Sequence, residues 1–129
     1  MNIKRFFKIK VTEAMASYVE MEVQEPWFGY LVSGQKKVEG RKNSPKWRDL
    51  KPSEKVLLTC GKKSQLFLIT DVRKYSSIRA YLEQEGLRNC LPGVESIEEG
   101  IAVYKQWNTD EELELHRFFL AIEMKPIEA

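Results

Sequence analysis

Two short apolar runs, Val56-Leu57-Leu58 and Leu66-Phe67-Leu68-Ile69, are separated by Gly61-Lys62-Lys63-Ser64, and this pairing constrains the fold more than any other feature of the chain. Each run is strand-sized, and a glycine-containing connection between them predicts a β-hairpin built from Lys55 to Cys60 and Gln65 to Thr70. Neither run approaches the ~20 apolar residues of a membrane span, so no transmembrane helix is expected.

Further strand signals stand at both ends of the chain. Val19, Met21 and Val23 alternate with Glu20, Glu22 and Gln24, the period of a half-buried strand. Arg117 to Lys125 is β-rich, with Phe118, Leu120 and Ile122 on one side and Phe119, Ala121 and Met124 elsewhere. Between these ends the pattern turns helical. Pro26 suits the first turn of a helix and Gly34 its end, with Trp27, Tyr30 and Leu31 on one face. Lys37 to Arg41 reads as extended, and Asn43-Ser44-Pro45 as a loop. Ser76 or Ser77 caps a helix that carries Ile78, Tyr81 and Leu82 and ends at Gly86, and Leu91-Pro92-Gly93 is a turn. Ser96 with Glu99 and Thr109 with Glu112 are capping-box spacings, each opening a short helix. The first of these helices places Ile97, Ile101, Tyr104 and Trp107 roughly on one face. Strands at both ends with helices inserted between them predict an α+β fold with a closed or nearly closed small barrel. The 129 residues suit one compact domain.

Several function classes find no support. Cys60 and Cys90 lack Cys-x-x-Cys or Cys/His partners, so no metal site is expected; reduced thiols inside a cell fit, with a single disulfide as the alternative. No Gly-x-Ser-x-Gly, Walker loop or metal-ligand spacing occurs, and no cofactor is expected. The one histidine, His116, has no companion and reads as a surface or packing residue. In Met1 to Ala16 the bases Lys4, Arg5, Lys8 and Lys10 interrupt the apolar positions, which argues against a secretory signal and for an intracellular place, cytoplasm or nucleus. Residues 1–16 read as an extension, either an extra strand or a short basic amphipathic helix, ahead of a domain over 17–129.

The net charge of +2 hides an uneven distribution. Lys36 to Lys55 holds eight bases against three acids, whereas Glu83 to Glu114 holds nine acids and only Arg88 and Lys105 as bases. Such a split gives the folded domain one face that attracts phosphates and one that repels them, unless both are merely solvated surfaces.

The stretch Glu25-Pro-Trp-Phe-Gly-Tyr-Leu-Val-Ser-Gly-Gln-Lys-Lys-Val-Glu-Gly-Arg41 contains the spacing Gly34-x-Lys36-x-x-Glu39-x-Arg41 after Pro26-Trp27. Further on come Asp71-Val-x-x-Tyr75, Glu85-Gly-Leu87, Leu91-Pro-Gly93 and Gly100 leading to Tyr104. These residues resemble the ASCH domain, named for homology to the activating signal cointegrator, and the resemblance runs from about Val19 to Met124. It implies a small PUA-like β-barrel with peripheral helices, and a cleft lined by Lys36, Glu39 and Arg41 that binds nucleic acid, RNA foremost.

The residue types agree with that implication. On an extended segment Lys37, Glu39 and Arg41 share a face, so Glu39 can pair with either base and aim the Arg41 fork. Lys36 points away unless the turn after Gly34 rotates it. The plain alternative is a surface ion pair on an edge strand. Trp27, Trp47, Tyr104 and Trp107 are stacking candidates for unpaired bases, although Trp27 and Trp107 also fall on amphipathic faces that suit a core. Trp47, between Lys46 and Arg48, is the foremost candidate for base contact. The resemblance also admits an enzyme, a ribonuclease or a modified-nucleoside amidohydrolase, with Lys36 and Glu39 as its catalytic pair. One branch of similar proteins deacetylates N4-acetylcytidine with a lysine and a threonine, and at the threonine's position this chain has Glu39. A third reading gives the acidic helical half to a protein partner.

Overall fold

The computed structural model describes residues 18–128, and the expectations for residues 1–16 lie outside it. Five strands form one sheet: β1 (Val19–Glu22), β2 (Val38–Lys42), β3 (Lys55–Cys60), β4 (Lys63–Tyr75) and β5 (Phe119–Pro126). Five short helices accompany them: α1 (Trp27–Ser33), α2 (Ile78–Glu85), α3 (Leu87–Cys90), α4 (Ile97–Lys105) and α5 (Asp110–His116). The sheet order is β1-β3-β4-β5-β2, with β1 parallel to β3 and every other neighbour antiparallel. The architecture is therefore the expected α+β, as a half-barrel in which, among the described residues, β1 and β2 are the edge strands.

The predicted hairpin is β3–β4, but β4 runs five residues beyond the expected end at Thr70, with a register shift between Ile69 and Asp71 that bends it. Beyond the bend Val72 still packs on the core, while Asp71, Arg73 and Tyr75 are tied by hydrogen bonds to one another or to Glu85 and Glu123. Arg73 donates to Asp71, Glu85 and Glu123 and carries the strand past the point where alternation alone would end it.

Strand β5 sits between β4 and β2 and is buried on both faces. Leu120, Ile122 and Met124 face a core with Met21, Phe28, Leu31, Val56, Leu58, Phe67 and Ile69. Phe119 and Ala121 face a second core under the helices, with Tyr81, Leu82 and Tyr104. Met124 thus shares the Leu120 face, as strand parity requires, and Phe118 lies before the strand, 42% exposed.

The helix ends follow the sequence closely. Gly34 takes a left-handed φ of 84° and closes α1, whose opening is capped by Glu25 Oε1 accepting from the Gly29 N–H at 2.8 Å. Ser77, Ser96 and Thr109 cap α2, α4 and α5. The reciprocal half of the capping box is present at Thr109 and Glu112, but at Ser96 the Glu99 carboxylate accepts from the Glu95 N–H instead. Among the described residues no helix is long and apolar enough to cross a membrane.

Candidate nucleic-acid interface

The chain leaves α1 through Gly34, and the Lys36 N–H donates back to the Tyr30 carbonyl at 3.0 Å. That reversal turns the Lys36 side chain inward, the rotation its position in the motif requires. Lys36 is only 1% exposed. Its ammonium donates to the Val38 carbonyl at 2.7 Å and to the Cys90 carbonyl, and stands 3.3 Å from Glu39 Oε1. A buried ammonium is tolerated only when its protons are all met, and here backbone oxygens from β2 and from the end of α3 meet two of them. Lys36 therefore ties α3 to the start of β2. Lys37, by contrast, is exposed and makes no pair with Glu39.

Glu39 shares its two oxygens. Oε1 faces Lys36 and accepts from the Gly40 N–H at 3.0 Å, while Oε2 accepts from Arg41 Nη2 at 3.1 Å. Burial pushes this carboxyl up, but the Lys36 and Arg41 charges and the Gly40 bond outweigh it and hold it below the usual carboxylate range. Burial likewise draws the Lys36 ammonium below an ordinary lysine, against the pull of Glu39. Beneath lies an aromatic pair, Tyr81 and Tyr104, whose hydroxyls are 2.8 Å apart and which burial keeps protonated. The Cys90 thiol is also buried, its pKa raised to about 11.

Gly40, which the motif spacing passes over, is needed for this packing. A Cβ there would stand 2.6 Å from the Phe119 ring and 2.9 Å from the Tyr81 ring. The strand can lie against the aromatic cluster only because the residue between Glu39 and Arg41 has no side chain.

Arg41 spans the gap between the two edge strands. Its Nη2 donates to the Glu22 carbonyl on β1 at 2.7 Å as well as to Glu39. The Nε and Nη1 N–H groups have no partner among the described residues, and the side chain is 25% exposed. Where Arg41 bridges this seam a cleft of about 310 Å³ opens, lined by Glu22, Val23 and Gln24 from the end of β1 and the residues after it, Glu39 to Lys42 from β2, and Val103, Tyr104, Trp107 and Asn108 from α4 and the turn after it, with Trp27, Trp47 and Leu91.

The structure thus brings Trp27, Glu39, Arg41, Trp47 and Tyr104 to one cleft, with Lys36 beneath the floor rather than on the wall. Trp47 is 7% exposed and packs in the core, with the Arg41 guanidinium 5.3 Å and the Lys46 ammonium 4.8 Å from its ring centroid. Lys46 and Arg48 are exposed beside it. Trp107, expected on the buried face of α4, is instead 47% exposed at the cleft. Helix α4 ends at Lys105, so helical periodicity no longer governs residue 107. Its position follows from Asn108, whose Nδ2 donates to the Tyr104 carbonyl at 2.7 Å and fixes the turn. The acidic half is partly neutralised at this edge, where Glu112 pairs with Lys42. Among the described residues no cluster of His, Cys, Asp and Glu has metal-binding geometry.

The family model of the ASCH domain matches residues 21–128. Among solved structures, the hypothetical protein PH0355 is 39% identical, with a TM-score of 0.79 over 85% of this chain and 99% of that one. Protein PF0455 from Pyrococcus furiosus is 37% identical, with a TM-score of 0.71 over 87% of this chain and 99% of that one. The ASCH protein from Zymomonas mobilis, at 13% identity, shares the fold, with a TM-score of 0.60 over 87% of this chain and 71% of that one. No curated protein matches.

Proposed function

This chain belongs to the ASCH domain family, and from that membership we propose that it is a nucleic-acid-binding module whose cleft receives an unstacked base of single-stranded RNA. One observation carries the reading. The cleft sets the Glu39 carboxylate and the Arg41 guanidinium side by side in an aromatic-walled space of about 310 Å³, the scale of a small-ligand pocket. A carboxylate oxygen and free guanidinium N–H groups supply an acceptor next to donors, which is what hydrogen-bonding the edge of an extruded base requires. Exposed Lys46 and Arg48, the chain neighbours of cleft-lining Trp47, suit the backbone phosphates that accompany such a base. The free thiols Cys60 and Cys90 are in keeping with an intracellular place of work.

Binding is preferred to hydrolysis on geometry. Lys36 is committed to two backbone carbonyls and Glu39 below the cleft floor, so it does not share a reacting atom with Glu39, and no hydroxyl nucleophile replaces the threonine at that position. Fluorescence anisotropy with labelled single-stranded and double-stranded RNA across a salt series tests the reading. Single strands bind tighter, affinity falls as salt rises, and Arg41→Ala weakens binding while the domain stays folded. Equal affinity for the two forms, or no salt dependence, refutes it. Turnover of N4-acetylcytidine or of unstructured RNA by the native protein would make hydrolysis the function of the cleft.

A further inference from the structure

The three tryptophans of the cleft are not equivalent. Trp47 is 7% exposed and its ring already has Arg41 and Lys46 against it. Trp27 is half-buried, packs against both cores, and has the Lys36 ammonium 5.9 Å from its ring centroid. Neither offers an open ring face to a base. Trp107 does: it is 47% exposed, and no aromatic or cationic group covers its ring among the described residues. Half-exposed tryptophan is uncommon on a folded domain, because its large apolar surface is usually buried. Here its backbone is held in place, since the Trp107 main-chain N–H donates to the Tyr104 carbonyl at 3.2 Å and the side-chain amide of the next residue, Asn108, donates to the same carbonyl.

The cleft has room for about one base. Trp107 stands at its edge, on the turn after α4, with half its surface facing solvent. A base lodged against Glu39 and Arg41 leaves the outer face of Trp107 uncovered. We infer that Trp107 is the stacking platform for the nucleotide next to the one in the cleft, so that the unit recognised is a short single-stranded oligonucleotide rather than a free nucleoside. The inference rests on the proposed RNA reading and assigns to one residue that site's preference for an oligonucleotide over a free nucleoside. A neighbouring base that stacks on Trp107 adds affinity without adding sequence preference, because every base has a stacking face. The connecting phosphate then lies at the mouth of the cleft, within the region where Arg41 carries its unpartnered N–H groups.

The test compares a nucleoside 5′-monophosphate with a trinucleotide of single-stranded RNA, each titrated against the full chain by isothermal calorimetry. In the native protein the trinucleotide binds more tightly. Trp107→Ala lowers trinucleotide affinity roughly ten- to a hundredfold, the equilibrium factor of one base–aromatic stack, and mononucleotide affinity by less than about threefold. Trp107→Phe restores most of the difference, and Phe118→Ala, which removes an exposed aromatic away from the cleft, changes neither ligand. Equal losses for the two ligands would make Trp107 a wall of the single-base pocket and overturn the inference, as would an unaffected trinucleotide. If neither ligand binds the native protein, the RNA reading itself fails, an outcome distinct from both. Thermal melting of each variant checks that the fold is kept.

Discussion

Replacing Lys36 by Met separates a structural ammonium from a ligand-binding one. Methionine keeps most of the stem's volume, so little of the effect comes from a cavity. What is lost is the charge and its bonds to the Val38 and Cys90 carbonyls and to Glu39. Two buried carbonyls lose a donor, each worth about 1 to 3 kcal/mol when left unmet. Glu39 keeps Arg41 and the Gly40 N–H but loses its buried counter-charge. Removing one member of a buried pair costs about 3 to 5 kcal/mol, and these overlapping losses place Lys36→Met in that range. For a domain of this length that is a fall in melting temperature of roughly 10 to 20 °C, read by circular dichroism together with urea titration. Combining it with Glu39→Gln recovers part of the loss, because the amide leaves no unpaired charge and still accepts from Gly40. A single variant that melts within a few degrees of the native protein yet no longer binds RNA would refute the reasoning and place the ammonium at the ligand.

Gly40→Ala forces a methyl group to within 2.6 Å of the Phe119 ring, and overpacking of this kind costs about 1 to 3 kcal/mol; a urea midpoint equal to the native one would show that the strand can shift away at no cost. The Arg73 hydrogen bonds hold the Glu85 carboxyl below its ordinary value of 4.5, against burial. A lowered carboxylate contributes stability that is present above its unfolded pKa and is lost as pH falls through the folded one. Melting temperature should therefore drop as pH falls below about 4.5, and Glu85→Gln should flatten that acid limb; an unchanged slope would remove Glu85 as its source.

Local signals in the sequence account for much of this fold. The hairpin, the helix caps at Ser77, Ser96 and Thr109, and the left-handed Gly34 each depend on a few adjacent residues, so their chemistry is readable in order along the chain. The misplacements share another cause. Helical period carries Trp107 onto the face of α4 although it lies two residues beyond the helix end, where a bond between Asn108 and the Tyr104 carbonyl that no spacing announces fixes the turn. The full length of β4 depends on Arg73 reaching Glu85 and Glu123, 12 and 50 residues away in the chain. Lys36 is harder still. Strand parity puts it on the face away from Glu39, and only the reversal after Gly34, with the Cys90 carbonyl arriving 54 residues later to accept its hydrogen bond, turns it under the cleft. No pattern of charges carries its role as an interior tie, since the same lysine counts equally well toward a basic surface.

That tie bears on how the cleft works. Glu39 stands between a buried ammonium and a partly exposed guanidinium, one oxygen for each. The inner partner is locked by backbone carbonyls, so Glu39 has little freedom to follow a ligand. The outer partner is anchored through the same nitrogen to Glu39 and to the Glu22 carbonyl across the seam. Arg41 thus presents its remaining N–H groups from a position fixed at two points, and a ligand meets a fork already oriented rather than a flexible side chain to be ordered on binding. Preorganisation of this kind lowers the entropic cost of recognition. It also means that the charge pattern of the motif performs two tasks in sequence: Lys36 fixes Glu39 from inside the fold, and Glu39 then fixes Arg41 at the surface. Substitutions along this series should therefore shift from mainly stability effects at Lys36 to mainly binding effects at Arg41, with Glu39 contributing to both.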